Sequence, residues 1–274
     1  MNTSTANTGS SRTTLGRLLA AALILGSVGA QAGIIPSQGT WTTTLQGRDA
    51  SGNPVALLNG AGNAPNPGMK YVYDTVLDLT WLANWNAAAG SSFDNGSHTS
   101  DGRMTWANAK SWSAGLTDFG GGWVLPSVLD IGDDGCNQAN SGTDCGYNVY
   151  GSEAGRAAGS PLAHMYYDTL GNKGLVNASG GFQPDFGLKN TGPFSNMQSW
   201  VYWSGTAYVP SPVVDAWYFG TVGGSQNFIS QVNEHFAVAV RRGDVFAASV
   251  PEPEGLALLG LAFGMLSVVR RRVR

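Results

Sequence analysis

All nine tryptophans of the 274-residue chain fall between positions 41 and 217, in a stretch rich in glycine and poor in charge. Charged residues make up 12% of the chain, against 39 glycines. Such a segment has few polar side chains with which to clothe long helices and many points where the backbone turns freely. It is therefore expected to fold as short elements joined by long turns, with aromatic side chains supplying much of the core.

The two ends of the chain stand apart from this stretch. At the N-terminus Arg12 and Arg17 precede an apolar run over residues 18–28, followed by Ala30-Gln31-Ala32. A basic start, a short apolar middle and a small-x-small ending predict a secretory signal peptide over residues 1–32, cleaved after Ala32 by signal peptidase. The alternative, a buried N-terminal helix, sits badly with the shortness of the run and the turn-formers Gly33, Pro36 and Gly39 that follow. At the C-terminus Pro251-Glu252-Pro253 forms a rigid, charged break. An apolar stretch over 255–269 and the basic cluster Arg270, Arg271, Arg272 and Arg274 come after it. Fifteen helical residues rise about 22 Å, short of a hydrocarbon core of about 30 Å. The arginines would stay on the cytoplasmic side.

Pro251-Glu252-Pro253, a short apolar helix and a terminal arginine cluster resemble the PEP-CTERM sorting signal of Gram-negative bacteria. That resemblance implies a tail over residues 250–274 that is transiently anchored in the inner membrane and processed by an exosortase. It also implies a protein of the cell envelope or the exopolysaccharide and biofilm matrix. The plainer alternative is an ordinary tail anchor.

Between the two ends, residues 33–249 carry nine Lys and Arg against sixteen Asp and Glu, a balance of −7, whereas the whole chain stands at −3. An acidic domain repels phosphate backbones and anionic lipids, so nucleic acid is an unsuitable partner. Acidic polysaccharide would need a local basic patch or bridging cations, and neutral glycan meets no such barrier. The two cysteines, Cys136 and Cys145, sit in a polar, glycine-rich segment. A disulfide between them would close a ten-residue loop, stabilising by roughly 2.5–3 kcal/mol on the chain-entropy model. A metal site would need two more soft ligands nearby, and the segment has none.

Along the exported region the pattern predicts a strand over 39–46, a turn at 49–53 and a loose loop up to residue 68. A strand follows over 69–74, then residues 77–82 and a polar loop over 90–102. Thr105 can cap a helix over 104–116, with Trp106, Ala109, Trp112 or Ser113, and Leu116 on one stripe. Ser160 and Pro161 suit the start of a second helix ending at Gly171, with Leu162, Met165, Tyr166 and Leu170 on its buried face. Strands over 200–208, 216–222 and 225–230 follow, the last two joined as a hairpin across Gly223-Gly224. A final strand covers 236–241. Early helices and late antiparallel strands predict an α+β domain over 70–249, with residues 33–69 as an extension that either adds a strand or trails.

Three phrases then recur together: Gly122-Trp123-Val124-Leu125-Pro126-Ser127, Tyr202-Trp203-Ser204-Gly205-Thr206 and Ala237-Val238-Ala239-Val240-Arg241. They resemble the signatures of the Lcl C-terminal domain family, which is related to the C-type-lectin-like fold, and the likeness spans roughly residues 71–245. It implies two helices packed on antiparallel sheets with long glycine-rich loops, and a binding or scaffold domain rather than an enzyme. Collagen-like adhesins use such a domain on sulfated polysaccharides. Trp123 and Trp203 would plug the junction between helices and sheet. The sequence departs from the family at Val124, where the family usually has arginine, and apolar packing is the expected substitute.

Chemistry-bearing motifs are scarce. His98, His164 and His235 are far apart, without ligand-spaced partners, and no nucleophile elbow, zinc-protease motif or phosphate loop occurs. No cofactor is implied apart from calcium, for which Asp130, Asp133, Asp134 and Asp144 are candidate ligands, against the plainer reading of a solvated loop. Gln183-Pro184-Asp185 resembles the sugar-selectivity triplet of C-type lectins but lacks the accompanying Trp-Asn-Asp. Trp217 and Tyr218 are candidate sugar-stacking rings, although neighbours on a strand face opposite ways and one of them should enter the core. The enzyme alternative, a formylglycine-generating type, relies on a reactive cysteine pair late in the domain, where this chain has none. The expected function is non-enzymatic: an exported surface or matrix protein that binds or scaffolds exopolysaccharide. A protein-binding adhesin is the alternative.

Overall fold

Antiparallel pairing organises most of the chain. The computed structural model describes residues 32–131 and 136–248, so the expected signal peptide up to residue 31, the expected sorting tail and the acidic pair Asp133 and Asp134 lie outside the described residues. In chain order the elements are α1 (Trp41–Thr44), β1 (Leu45–Arg48), β2 (Pro54–Val55), β3 (Tyr71–Asp74), β4 (Leu79–Leu82) and α2 (Trp106–Ala114). There follow β5 (Gly146–Tyr147), α3 (Glu153–Gly159), α4 (Pro161–His164), β6 (Val201–Ala207), β7 (Asp215–Gly220), β8 (Ser225–Ser230), β9 (Val240–Arg242) and α5 (Val245–Ala248). The domain is α+β. One sheet has the order β2-β1-β3-β4-β9 and the other β5-β8-β7-β6.

Residues 33–69 do not trail from this domain. β1 lies between β2 and β3, in register from Leu45 opposite Asp74 to Arg48 opposite Tyr71. Trp41 is buried beside it. The last strand returns to the same sheet, with Val240 opposite Trp81 on β4. Arg48 and Asp244 fasten this closure through paired bonds from Nε to Oδ1 (2.9 Å) and from Nη2 to Oδ2 (2.6 Å).

The three phrases, two of them carrying a tryptophan, meet where the sheets join. Val124 and Val240 exchange backbone hydrogen bonds of 2.9 and 2.8 Å, and Arg241 Nε donates to the Gly121 carbonyl at 3.0 Å. Gly205 N–H donates to the Pro126 carbonyl at 2.8 Å, and a Cβ at Gly205 would stand 3.1 Å from the Leu125 carbonyl oxygen. Trp203 N–H donates to the Phe236 carbonyl at 2.9 Å. Three of the buried indoles here are satisfied as well as packed, which suits the polar edge of a core tryptophan. Trp203 donates to Met104 O (2.8 Å), Trp123 to Asp118 O (3.0 Å) and Trp106 to Ser204 O (2.7 Å). Val124 corrects one expectation: its side chain is exposed, because its backbone pairs with Val240 while its neighbours Trp123 and Leu125 turn inward.

The helices depart from expectation in instructive ways. α2 has the expected cap, with Thr105 Oγ1 accepting from Asn108 N at 3.4 Å, and Trp106, Ala109, Trp112 and Ser113 are buried. The second helix starts at Pro161, capped by Ser160, but relaxes into a π-helical turn over Met165–Thr169. α3 is an element the sequence reading missed. Its Gly155 and Gly159 are poor helix formers, yet a Cβ at Gly159 would lie 2.6 Å from the Tyr150 ring, so packing dictates glycine there. The expected strand at 39–46 gives up its first half to α1, with Thr44 N–H closing onto Thr40 O. The hairpin loop takes four residues rather than two. The Thr221 hydroxyl is drawn out of the ladder to the Gln198 carbonyl (2.7 Å) and the Trp200 amide (3.0 Å).

Candidate functional site

The disulfide Cys136–Cys145 forms, with Cα atoms 5.1 Å apart. It rests on a small cluster in which Tyr208 stacks on Phe228 and Trp217 meets both edge-on. Trp217 is 0% exposed and its indole donates to Asp130 Oδ2 at 2.8 Å, so it offers no face to a sugar. It was the inward member of the Trp217–Tyr218 pair, as strand alternation demands. Tyr218 is half-buried against His235, with ring centroids 5.9 Å apart.

The other candidate residues are scattered. Asp130 Oδ2 serves Val209 N (2.7 Å) and Trp217, and Asp144 Oδ2 accepts from Ile131 N (2.7 Å). They act as loop fasteners. Gln183 Nε2 donates to the Gly174 carbonyl at 2.9 Å, and Asp185 pairs with Lys173 at 2.6 Å on the surface. The hydrogen bond from Lys173 holds the Asp185 carboxyl below its ordinary range. His98 Nδ1 lies 3.5 Å from Arg103 Nη2, whereas His164 is fully buried with Thr169 Oγ1 at 3.2 Å from its Nδ1. Among the described residues no three His, Cys, Asp or Glu side chains gather as a metal site. Among them, too, no helix is long and apolar enough to cross a membrane.

A different place has the features of a binding site. An open cleft of about 400 Å³ is formed by Asp101, Arg103, Gln198, Ser199, Trp200 and Phe236. It lies where the loop before α2 meets the segment leading into β6. Phe236 is buried and packs on Tyr202, with ring centroids 5.7 Å apart, while the Trp200 side chain is 47% exposed. Trp200 is held by its backbone, its N–H donating to Thr221 Oγ1 and its carbonyl accepting from Thr221 N at 2.8 Å. Gln198 is fixed by the Tyr202 hydroxyl, which accepts its N–H at 2.7 Å.

Asp101 and Arg103 form a compact charged unit beside this ring. The backbone N–H of Arg103 donates to Asp101 Oδ1 at 2.8 Å, and its Nε donates to Oδ2 at 2.7 Å. Burial works to raise the Asp101 carboxyl, but the two kinds of Arg103 hydrogen bond and the Arg103 charge outweigh it and hold it low. The unit is therefore a fixed acceptor and donor with little net charge. A flat apolar ring flanked by oriented polar groups can stack on a sugar face while hydrogen-bonding its hydroxyls.

Sequence reasoning missed this cleft because it joins residues almost 100 positions apart. The available signal was Trp200 itself. In the run Trp200-Val201-Tyr202-Trp203 the last two rings enter the core, leaving Trp200 just outside the strand. A second cleft of about 310 Å³ between Pro65, Pro67, Met69, Lys70 and Pro193 contains no aromatic ring. No family model, curated protein or solved structure matches the chain.

Proposed function

We propose that this chain is an exported, non-enzymatic protein of the bacterial envelope or biofilm matrix, and that its domain is C-type-lectin-like and binds neutral glycan in the Trp200 cleft. The observation that carries this reading is the half-exposed Trp200 indole beside the Asp101–Arg103 pair. The acidic balance of residues 33–249 favours neutral over sulfated sugar. The PEP-CTERM-like tail and the signal peptide supply the route, through signal peptidase and exosortase, to the place where exopolysaccharide is found. The Lcl-like phrases and the packing of short helices with two antiparallel sheets support the lectin-like assignment. The chain's only two cysteines are joined in an early loop, which leaves the formylglycine-generating alternative without its reactive pair.

A second reading, protein adhesion, has its own observation. Leu129, Ile131, Val209, Val213 and Val214 are all exposed, Val213 at 87%, and Val209 is tied to Asp130 between the first two. Such an apolar ridge suits a protein partner. The deciding experiment is a polysaccharide array that includes the producing organism's exopolysaccharide, probed with the wild-type chain and Trp200→Ala. Saturable binding lost in Trp200→Ala supports the cleft. No binding to any glycan sinks that reading and leaves adhesion through the ridge.

A further inference from the structure

The loop from β4 to α2 contains a buried carboxylate with no positive partner. Asp94 is 2% exposed, and none of the ion pairs among the described residues includes it. Its Oδ2 accepts from Gly90 N and Gly102 N, each at 2.9 Å. Its Oδ1 is buried and has no hydrogen-bond partner, and the same holds for Asn86 Oδ1 and Ser91 Oγ. A buried carboxylate needs hydrogen bonds, a cationic side chain or a metal to offset its desolvation, and buried oxygens left without donors leave room for a cation.

The chain path ties these three residues to the same two glycines, Gly90 and Gly102. Gly102, at φ +91°, donates to Asp94, and a Cβ on it would stand 1.8 Å from Asn86 Oδ1. Asn86 is held there by its own Nδ2, which donates to the Asp101 carbonyl at 3.1 Å, so its oxygen is turned the other way. Ser91 follows Gly90, the second donor to Asp94, and its carbonyl accepts from Asp94 N at 3.1 Å. A carboxylate, an amide oxygen and a hydroxyl form an all-oxygen set, which suits a hard cation and neither zinc nor copper.

We propose that Asp94 Oδ1, Asn86 Oδ1 and Ser91 Oγ bind a calcium ion inside this loop. The site is separate from the Asp130–Asp144 segment and does not depend on the glycan reading. One charged ligand with neutral oxygens and water places the affinity in the range of extracellular modules, with Kd about 0.1–1 mM. At ~10 mM calcium, selective binding to the folded state should raise Tm by roughly 3–10 °C.

The test uses the full chain stripped with EDTA, then titrated with calcium chloride in thermal melts and with terbium in luminescence excited through tryptophan. Wild type is expected to show the Tm rise and saturable luminescence that calcium displaces. Asp94→Asn should abolish both, since an amide nitrogen aimed at the site repels a cation and can itself donate to the other two oxygens. Ser91→Ala removes only a hydroxyl without a protein partner and should weaken binding roughly tenfold even if Asp94→Asn does not fold. The proposal is overturned by a wild-type chain indifferent to both ions. It is equally overturned by binding that survives Asp94→Asn and Ser91→Ala but disappears in Asp144→Asn.

Discussion

Replacing Arg48 by alanine should cost the domain more than any other single charge removal. Arg48 is 3% exposed and donates to Asp244 through Nε and Nη2, to the Gly47 carbonyl at 2.9 Å and to Gln46 Oε1 at 2.7 Å. Its guanidinium also lies 5.8 Å from the ring centres of Tyr73 and Phe246. Truncation leaves Asp244, whose side chain is only 16% exposed, without its counter-charge. Breaking such a pair from one side costs about 3–5 kcal/mol. For a domain of this size each kcal/mol moves Tm by roughly 2–4 °C, so Arg48→Ala should melt about 6–20 °C lower at neutral pH.

The pH dependence supplies a second handle. Burial pushes the Asp244 carboxyl up, but the hydrogen bond and charge of Arg48 outweigh it and hold it below its ordinary value of 3.8. A depressed carboxylate stabilises the fold above its unfolded pKa, and that contribution disappears as pH falls through the folded value. The gap in Tm between wild type and Arg48→Ala should therefore narrow below about pH 4. Thermal melts by circular dichroism, repeated on Arg48→Met with Asp244→Leu, complete the cycle. The double replacement should recover most of the loss, because it removes both charges at once. A loss under about 1 kcal/mol for Arg48→Ala, or a gap that widens in acid, would refute the view that this pair closes the five-stranded sheet.

Other outcomes follow from single contacts. Gly159→Ala should destabilise by about 1–3 kcal/mol in urea titrations, since its Cβ would stand 2.6 Å from a Tyr150 ring whose hydroxyl is tied to the Leu129 carbonyl at 2.7 Å. Removing the disulfide with Cys136→Ser and Cys145→Ser should cost roughly 2.5–3 kcal/mol in the same assay, or less if the loop stays ordered around Trp217. Burial, then the positive charge of Arg103, push the His235 imidazole down from 6.5 to about 4. The unfolded chain would take up that proton near 6.5, so stability should decline as pH falls from 6.5 towards 4. NMR titration of the ring protons should find His235 neutral at pH 6, and a midpoint above 6 would contradict its packing on Trp203 at 4.7 Å.

Local signals were legible in the sequence. Thr105 and the spacing of Trp106, Ala109 and Trp112 marked α2, and Ser160-Pro161 marked the start of the second helix, because caps and periodicity act within a few residues. Alternation marked β6, β7 and β8. Elements whose residues answer to distant partners were not legible. Gly159 belongs to α3 because of Tyr150, and residues 41–44 turn helical although they read as extended. The site suffered most. Asp101, Trp200 and Phe236 share one cleft only because the three phrases around Trp123, Trp203 and Val240 lock the sheets together, and no local pattern announces that convergence. Trp217 misled for the opposite reason, as an aromatic on a strand whose facing depends on a register set by β8.

The most direct test follows the nine tryptophan indole N–H signals while a neutral oligosaccharide that binds on the array is titrated into the protein. Trp106, Trp123 and Trp203 are anchored on backbone carbonyls and Trp217 on Asp130, so their signals should stay in place. Trp200 should shift saturably, and Asp101→Ala should weaken the response by removing the acceptor beside it. A binding oligosaccharide that leaves Trp200 unmoved would contradict the cleft as the site of recognition.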